Sequence, residues 1–409
     1  MRRLLFIFSF LSLLVVDGKA QEVEILTLED CLRIGIDNNL SLEGKRKEIQ
    51  KSKYGVSENR SKLLPQITAI AGYNNNFDPP VSVTDGSSYG VPYNITKTLQ
   101  HTANAGLEMQ MPLFNQTLYT SMSIAKVMEE ISRLSYGKAR EDIIMQISKM
   151  YYLGQVTAEQ IVLIKANITR LEELRDITQA FFDNGMSMEV DLKRVNINLE
   201  NLKVQYDNAQ AMMKQQLNML KYIMDYPAEK EFVLTPVNTD SITTVALTGL
   251  SENIYELQLS QSQVRLAEKQ KKIISNGYIP SLSLTGSWRY AAYTDKGYHW
   301  FHSGPSNHWF RSYGLGLTLR IPIFDGLDKT YKIKKAMIDI ENSKLAWENA
   351  RKSLQTQYLN AVNDLMNNQR NFKKQKDNYL LAEDVYTVTS DRYREGIASM
   401  TEVLQDEMQ

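Results

Sequence analysis

The chain has 409 residues, 43% of them apolar and 23% charged, enough to bury a large core. Lys+Arg and Asp+Glu each number 47, so there is no net positive field to gather nucleic acid, and no nucleic-acid partner is expected. One cysteine, Cys31, and four histidines exclude a disulfide framework and Cys-rich zinc sites and leave little material for imidazole catalysis.

At the start, Arg2 and Arg3 precede a run from Leu4 to Val16 that is apolar except for Ser9 and Ser12, and Gly18-Lys19-Ala20 puts small residues at the two positions that direct cleavage. This predicts an export signal over residues 1–20 and a mature start at Gln21. As an anchor, the run would span only ~20 Å of a ~30 Å hydrocarbon core. No later stretch approaches eighteen consecutive apolar residues, so the mature chain is expected to be soluble or a β-barrel. Thr27 followed by Asp30 predicts a capping box that opens the first helix. Cys31 follows Leu28-Glu29-Asp30 rather than the small neutral residues of a lipid-attachment site, and reads as a small buried apolar residue.

After Pro65, alternation of Ile67, Ala69, Ala71 and Tyr73 predicts a strand. Residues 75–102, with Pro79, Pro80 and Pro92 among Asn, Ser, Gly and Tyr, read as a long exterior loop. A second strand sets Leu107, Met109 and Met111 against Glu108 and Gln110. From Leu118 to about Phe181 only Gly137 and Gly154 interrupt a helical pattern, which predicts a rod of ~100 Å. A compact globule of this length would be only ~55 Å across, so an elongated molecule is expected. Apolar residues at Ile161, Ile164, Ile168 and Leu171, and at Leu192, Val195, Leu199, Leu202, Tyr206, Ala209 and Met213, keep the 3-4 spacing of a coiled-coil seam. A second stripe, Val190, Ile197 and Val204, implies partners on two sides.

Residues 227–250 carry Pro, Thr and Val without helical period and read as a connection. Beyond Pro280, Leu282, Leu284, Gly286, Trp288 and Tyr290 alternate with Ser281, Ser283, Thr285, Ser287 and Arg289. Residues 294–311 read as another exterior loop; it holds His299, His302 and His308 with Trp300, Phe301 and Trp309, at spacings too irregular for a metal site. Tyr313, Leu315, Leu317, Leu319 and Ile321 then alternate with Gly314, Gly316, Thr318 and Arg320 before Pro322, and a proline-free stretch runs to the end.

These landmarks repeat. Leu64-Pro65-Gln66-Ile67 answers Ile279-Pro280-Ser281-Leu282, Met111-Pro112-Leu113-Phe114-Asn115 answers Ile321-Pro322-Ile323-Phe324-Asp325, and Gly185 answers Gly396. The chain therefore divides into the signal (1–20), a first repeat (21–226), a linker (227–250) and a second repeat (251–409). After Gly185 the returning helix runs 41 residues to Tyr226, whereas 13 residues follow Gly396, and the internal comparison leads to the expectation that the last helix is short by about 28 residues.

Period two over nine or more residues fits a strand with one face in lipid and one in water. On that reading Leu282, Leu284, Trp288, Tyr313, Leu315, Leu317, Leu319 and Ile321 face lipid, and Glu108, Gln110, Arg289, Thr318 and Arg320 face a lumen. A soluble sandwich with one face on a core gives the same alternation. Four strands cannot close a barrel in lipid, so closure demands oligomerisation, with a dimer of eight strands or a trimer of twelve both allowed.

The ordered duplication, with Leu26-Thr27-Leu28-Glu29-Asp30-Cys31-Leu32, Asp37-Asn38-Asn39, Tyr393-Arg394-Glu395-Gly396 and Val403-Leu404, resembles the TolC-like outer membrane efflux family over Leu26 to Gln409. The resemblance implies a mainly α fold with membrane β: long antiparallel coiled-coil-like helices forming a periplasmic α-barrel, plus four strands per protomer in a trimeric, twelve-stranded outer-membrane β-barrel. It implies a homotrimer in outer-membrane lipid that works with a periplasmic adaptor (membrane fusion) protein and an inner-membrane pump of RND, ABC or MFS type, and a belt around the tunnel from the 227–250 region. In that family an ionic and hydrogen-bonded network at the helix turns holds the tunnel mouth nearly shut, and acidic rings favour cations. By match, Asp191 and Glu402 take the acidic position six after the turn glycine and Tyr393 the aromatic position three before it. Ala398 stands where the best-known member has an arginine, and Gln405 where it has a second acid, so a weaker or differently wired gate is expected. Equally open for Asp191 and Glu402 is a role in solvating the first turn of the returning helix.

The function expected is a passive outer-membrane exit duct, not an enzyme. No phosphate-cradling glycine loop, Walker-type lysine or Ser-His-Asp order appears, so no cofactor is expected. The competing function is a structural or adaptor coiled-coil periplasmic protein without a membrane barrel.

Overall fold

The computed structural model describes residues 24–97, 99–237, 249, 251, 253–294 and 308–407. The export signal, His299 and His302 lie outside the described residues, as does the side chain of His308. The first half comprises β1 (Glu24–Leu26), α1 (Leu28–Asn38), α2 (Leu40–Ser61), β2 (Gln66–Asn75), β3 (Val81–Asp85), β4 (Tyr93–Lys97), β5 (His101–Phe114), α3 (Gln116–Asp183), α4 (Glu189–Met224) and β6 (Phe232–Leu234). The second comprises α5 (Tyr255–Asn276), β7 (Ser281–Thr294), β8 (His308–Arg320), α6 (Asp328–Arg394) and α7 (Met400–Glu407). Contacts separate the chain into two units: one from Met1–Glu43, Arg140–Ala246 and Met366–Gln409, the other from Gly44–Ala139 and Leu247–Leu365.

Local chemistry explains where the helices begin and end. Thr27 Oγ1 accepts from the Asp30 amide at 3.2 Å while Asp30 Oδ2 accepts from the Thr27 amide at 3.3 Å, the reciprocal capping box the sequence predicts. The first helix is nonetheless broken at Asn39, which the sequence reading treats only as part of a motif. The buried Asn39 side chain accepts from the Leu42 amide at 3.1 Å, opening α2, and donates to the Ile223 carbonyl at 2.7 Å. The Asn and Asp that close the two Pro-x-Phe motifs also start helices. Asn115 Oδ1 accepts from the amides of Thr117 (3.0 Å) and Leu118 (3.3 Å), and Asp325 Oδ2 accepts from the Lys329 amide at 3.3 Å.

The two glycine turns share one geometry. Gly185 and Gly396 sit at φ 73° and 75°, and the residues after them, Met186 and Ile397, return their amides to Phe181 and Arg392 carbonyls at 2.8 Å each. A left-handed residue donating back over the last turn is the Schellman closure, which a Cβ would strain. Gly137 and Gly154 do not break α3; they admit neighbours. A Cβ on Gly154 would lie 2.6 Å from Leu234 Cδ1, and one on Gly137 would overlap the Tyr255 ring.

The described residues of the first unit hold two apolar clusters. One gathers Leu26, Cys31, Ile147, Tyr151, Leu220, Met224, Phe232 and Leu234 under the parallel pair β1–β6. Tyr151 donates to the Leu26 carbonyl at 3.3 Å and Gln155 to the Thr235 carbonyl at 2.6 Å, which ties α3 to this pair. The 227–250 connection thus contains a strand the sequence pattern did not reveal. The other cluster, around Leu171, Leu174, Val195, Leu199, Tyr393, Met400, Val403 and Leu404, packs α3, α4, α6 and α7 beside the glycine turns. Seam positions Ile164, Leu171, Val195, Leu199 and Ala209 are buried as predicted. Val190, Ile197 and Val204 are 50–61% exposed, so nothing among the described residues covers the second stripe.

In the second unit, β2, β5, β7 and β8 form one antiparallel sheet in that order. The β5–β7 pairing joins the two halves, with Leu107 opposite Trp288 and Glu108 opposite Ser287. Residues 75–102 are not a plain loop: β3 and β4 form a hairpin, Val83 opposite Ile95 and Asp85 opposite Tyr93. Its turn carries Gly90 at φ 71°, and Asp85 accepts from the Ser87 amide at 2.9 Å. The turn chemistry was legible; the short alternation on either side was hidden by the prolines around it. No helix among the described residues is long and apolar enough to cross a membrane.

Candidate functional site

The sheet is the first candidate. Directly paired residues on antiparallel strands share a face, and alternate residues change face. The register Leu282–Leu319, Leu284–Leu317, Gly286–Leu315 and Trp288–Tyr313 collects the predicted apolar residues of β7 and β8 on one side. Ile321 lies one residue beyond the end of β8. This side is open: Tyr313 is 77% exposed, Leu315 80% and Leu317 68%. Ile67, Ala69 and Tyr73 of β2 and Leu107 and Met109 of β5 continue it through their own pairings.

The opposite face gathers Glu108, Gln110, Arg289, Thr318 and Arg320. Glu108 pairs in register with Thr68 and Ser287, Gln110 with Gln66 and Thr285, Thr318 with Ser283, and Arg320 with Ser281. Arg289 and Glu108 form an ion pair across β5 and β7. Thr285 donates to the Gly316 carbonyl at 3.2 Å. One face of exposed hydrocarbon and one of polar groups cannot both rest in water at low cost, since apolar area costs about 25 cal/mol per Å² to hydrate. Apolar surroundings on one side and water on the other satisfy both. Strands β2 and β8 are the sheet's edges, so their outer backbone groups are available to pair with another chain.

The second candidate surrounds the glycine turns. Tyr393, in the last turn of α6, is only 6% exposed and packs on Phe181 with ring centroids 5.6 Å apart. The Thr178 hydroxyl donates to the Leu174 carbonyl at 2.7 Å, which leaves the Tyr393 hydroxyl as donor to Thr178 Oγ1 at 3.3 Å. Burial pushes the Tyr393 phenol above its ordinary pKa; the Thr178 bond opposes this, and the charge of Asp191 adds to it. Asp191 sits in the first turn of α4 with Arg194 at 3.5 Å, and its charge acts on the Tyr393 phenol, so the two lie in one neighbourhood. Glu402 is exposed in the first turn of α7, and no side-chain hydrogen bond or ion pair joins it to Tyr393 among the described residues. The amide of Glu402 is capped instead by Ser399 Oγ at 3.3 Å. Ser399 and Thr178 were not singled out from the sequence. Ser399-Met400-Thr401-Glu402 has capping-box spacing and could have been read; Thr178 gave no local signal.

A profile described as Outer membrane efflux protein matches residues 34–224 and 245–409, far more than half of the chain. Outer membrane protein TolC of Vibrio cholerae serotype O1 is 22% identical over 316 residues. That match covers 76% of this chain and 66% of TolC, just under two thirds of the relative's length. Among solved structures, CusC is similar with a TM-score of 0.77 at 16% identity, covering 93% of this chain and 85% of CusC. The MtrE outer membrane channel of Neisseria gonorrhoeae gives a TM-score of 0.71 at 18% identity, covering 93% and 82%. The structural likenesses establish the fold, long helices with a four-stranded antiparallel sheet, and the profile establishes descent: the chain belongs to the outer membrane efflux protein family.

Proposed function

We propose that three copies of this chain join β8 of one to β2 of the next, closing a twelve-stranded barrel in the outer membrane above a periplasmic tunnel of helices. The single observation that carries this is the open four-stranded sheet, with two unpaired edges, an exposed face of Leu, Tyr and Trp, and a polar face opposite. In lipid each unpaired backbone group costs several kcal/mol, so the edges must meet. Two strands from each half and the exposed stripe Val190, Ile197 and Val204 on α4 suit such an assembly.

The protein then acts as a passive exit duct after removal of residues 1–20. Solute is delivered by an inner-membrane pump through a periplasmic adaptor, and no chemistry is done on the cargo. Leu282, Leu284, Trp288, Tyr313, Leu315, Leu317 and Leu319 meet lipid, with Ile321 at its border; Glu108, Gln110, Arg289, Thr318 and Arg320 line the water-filled bore. Tyr393 and Asp191 act at the tunnel mouth by fixing the two glycine turns against each other, and Glu402 adds an exposed carboxylate there. The test is reconstitution of the intact protein: heat-sensitive trimer migration and step conductances in planar bilayers are expected. A water-soluble single copy that makes no conductance would end this reading and leave the coiled-coil structural role.

A further inference from the structure

Charge is scarce on the four-stranded sheet. Glu108 is its one carboxylate, against Arg289, Arg311 and Arg320. Arg311 pairs with Tyr290 on the apolar face, its guanidinium 5.9 Å from the Tyr313 ring centroid. The polar face therefore carries one acid and two arginines.

The two arginines are held differently. Arg289 is ion-paired with Glu108, and directly opposite it in register stands Gly106, where a Cβ would lie 2.9 Å from Arg289 Cγ. The glycine lets the arginine lie along the wall, and the carboxylate cancels its charge. Arg320 has neither device. It is exposed at the end of β8, its register partner is Ser281, and no ion pair is made by it among the described residues. Asp325, a few residues on, is taken by Lys329 at 2.9 Å.

We infer that Arg320 makes the polar face of the sheet an anion-favouring wall, while Glu108 and Gly106 keep Arg289 electrically silent. This rests on the reading that the face lines a pore. Three copies then place a ring of uncompensated guanidinium groups where the strands meet the helices, the arrangement that admits anions and repels cations. The cargo this ring favours carries carboxylate, phosphate or another acidic group. The preference is weakened by salt, which screens exposed charges.

The experiment is the reversal potential of the intact protein in planar bilayers under a KCl gradient, kept below about 0.1 M so that the Debye length is ~10 Å or more. Arg320→Gln is expected to shift the chloride-to-potassium permeability ratio toward potassium by about two-fold or more, as fields of several kT allow. Glu108→Gln is expected to shift it toward chloride by freeing Arg289, Arg289→Gln toward potassium, and the double variant to return near the parent. If Arg320→Gln does not assemble, Arg320→Cys modified by cationic or anionic methanethiosulfonate supplies the same comparison, since buried Cys31 is shielded; opposite shifts are expected. Channels whose reversal potential ignores all these changes would overturn the inference and leave the duct reading standing. No conductance from the parent protein would remove both.

Discussion

Asn39 offers the most direct test of how the first unit is tied together. Its side chain is 9% exposed and makes two bonds, one capping α2 and one reaching the Ile223 carbonyl at the end of α4. Asn39→Ala removes an N-cap worth about 1 kcal/mol. It also leaves the buried Ile223 carbonyl without this donor, which costs about 2 kcal/mol. The expected loss is about 3 kcal/mol, roughly a hundredfold in the folded ratio. Asn39→Ser keeps the capping oxygen but cannot reach Ile223, so about 2 kcal/mol is expected. Asn39→Asp keeps the cap but sets a carboxylate against a carbonyl, and its loss is expected to shrink as the carboxylate is protonated in acid. Equilibrium urea unfolding of the detergent-solubilised protein, followed by far-ultraviolet circular dichroism, measures all three if the slope is unchanged. The reasoning is refuted if Asn39→Ala lies within about 0.5 kcal/mol of the parent, or if Ser is as damaging as Ala.

Two further outcomes follow from buried titrating groups. Burial pushes the Cys31 thiol up to about 12, with the charge of Asp30 adding to the rise, so the reactive thiolate is scarce near pH 8; maleimide labelling is expected to be slow in the folded protein and fast in urea, and equal rates would refute the burial. Burial likewise raises the Glu407 carboxyl, against Arg170 and the Tyr386 hydroxyl, which lower it. Because the folded value lies above the ordinary 4.5, the linked stability is complete below that value and is lost as pH rises through the raised one. Glu407→Gln is therefore expected to raise the urea midpoint near neutral pH and to match the parent near pH 4; a uniform effect at both would sink the assignment.

Much of this protein is legible in its sequence, and the reason is local. Strand alternation at Leu282–Tyr290 and Tyr313–Leu319, the seam through Val195, Leu199 and Ala209, the Thr27–Asp30 box and the paired turn glycines each depend on residues within a turn or two of one another. Duplication of those signals carried the family resemblance. The candidate sheet residues were legible for the same reason, because period two assigns a face without knowledge of the partner strand.

What the tertiary structure alone decided concerns groups far apart in the chain. Nothing near Asn39 announces a bond to Ile223, nothing near Thr178 points to Tyr393, and no pattern in Glu24–Leu26 selects Phe232–Leu234 as its parallel neighbour. The β5–β7 register also had to be seen, and with it the Glu108–Arg289 ion pair, which has no counterpart at Arg320 among the described residues. A sequence states which side of an element is apolar or charged; which distant side chain meets it is settled only when packing brings those surfaces into contact, because that choice depends on shape and hydrogen-bond geometry summed over the whole interface.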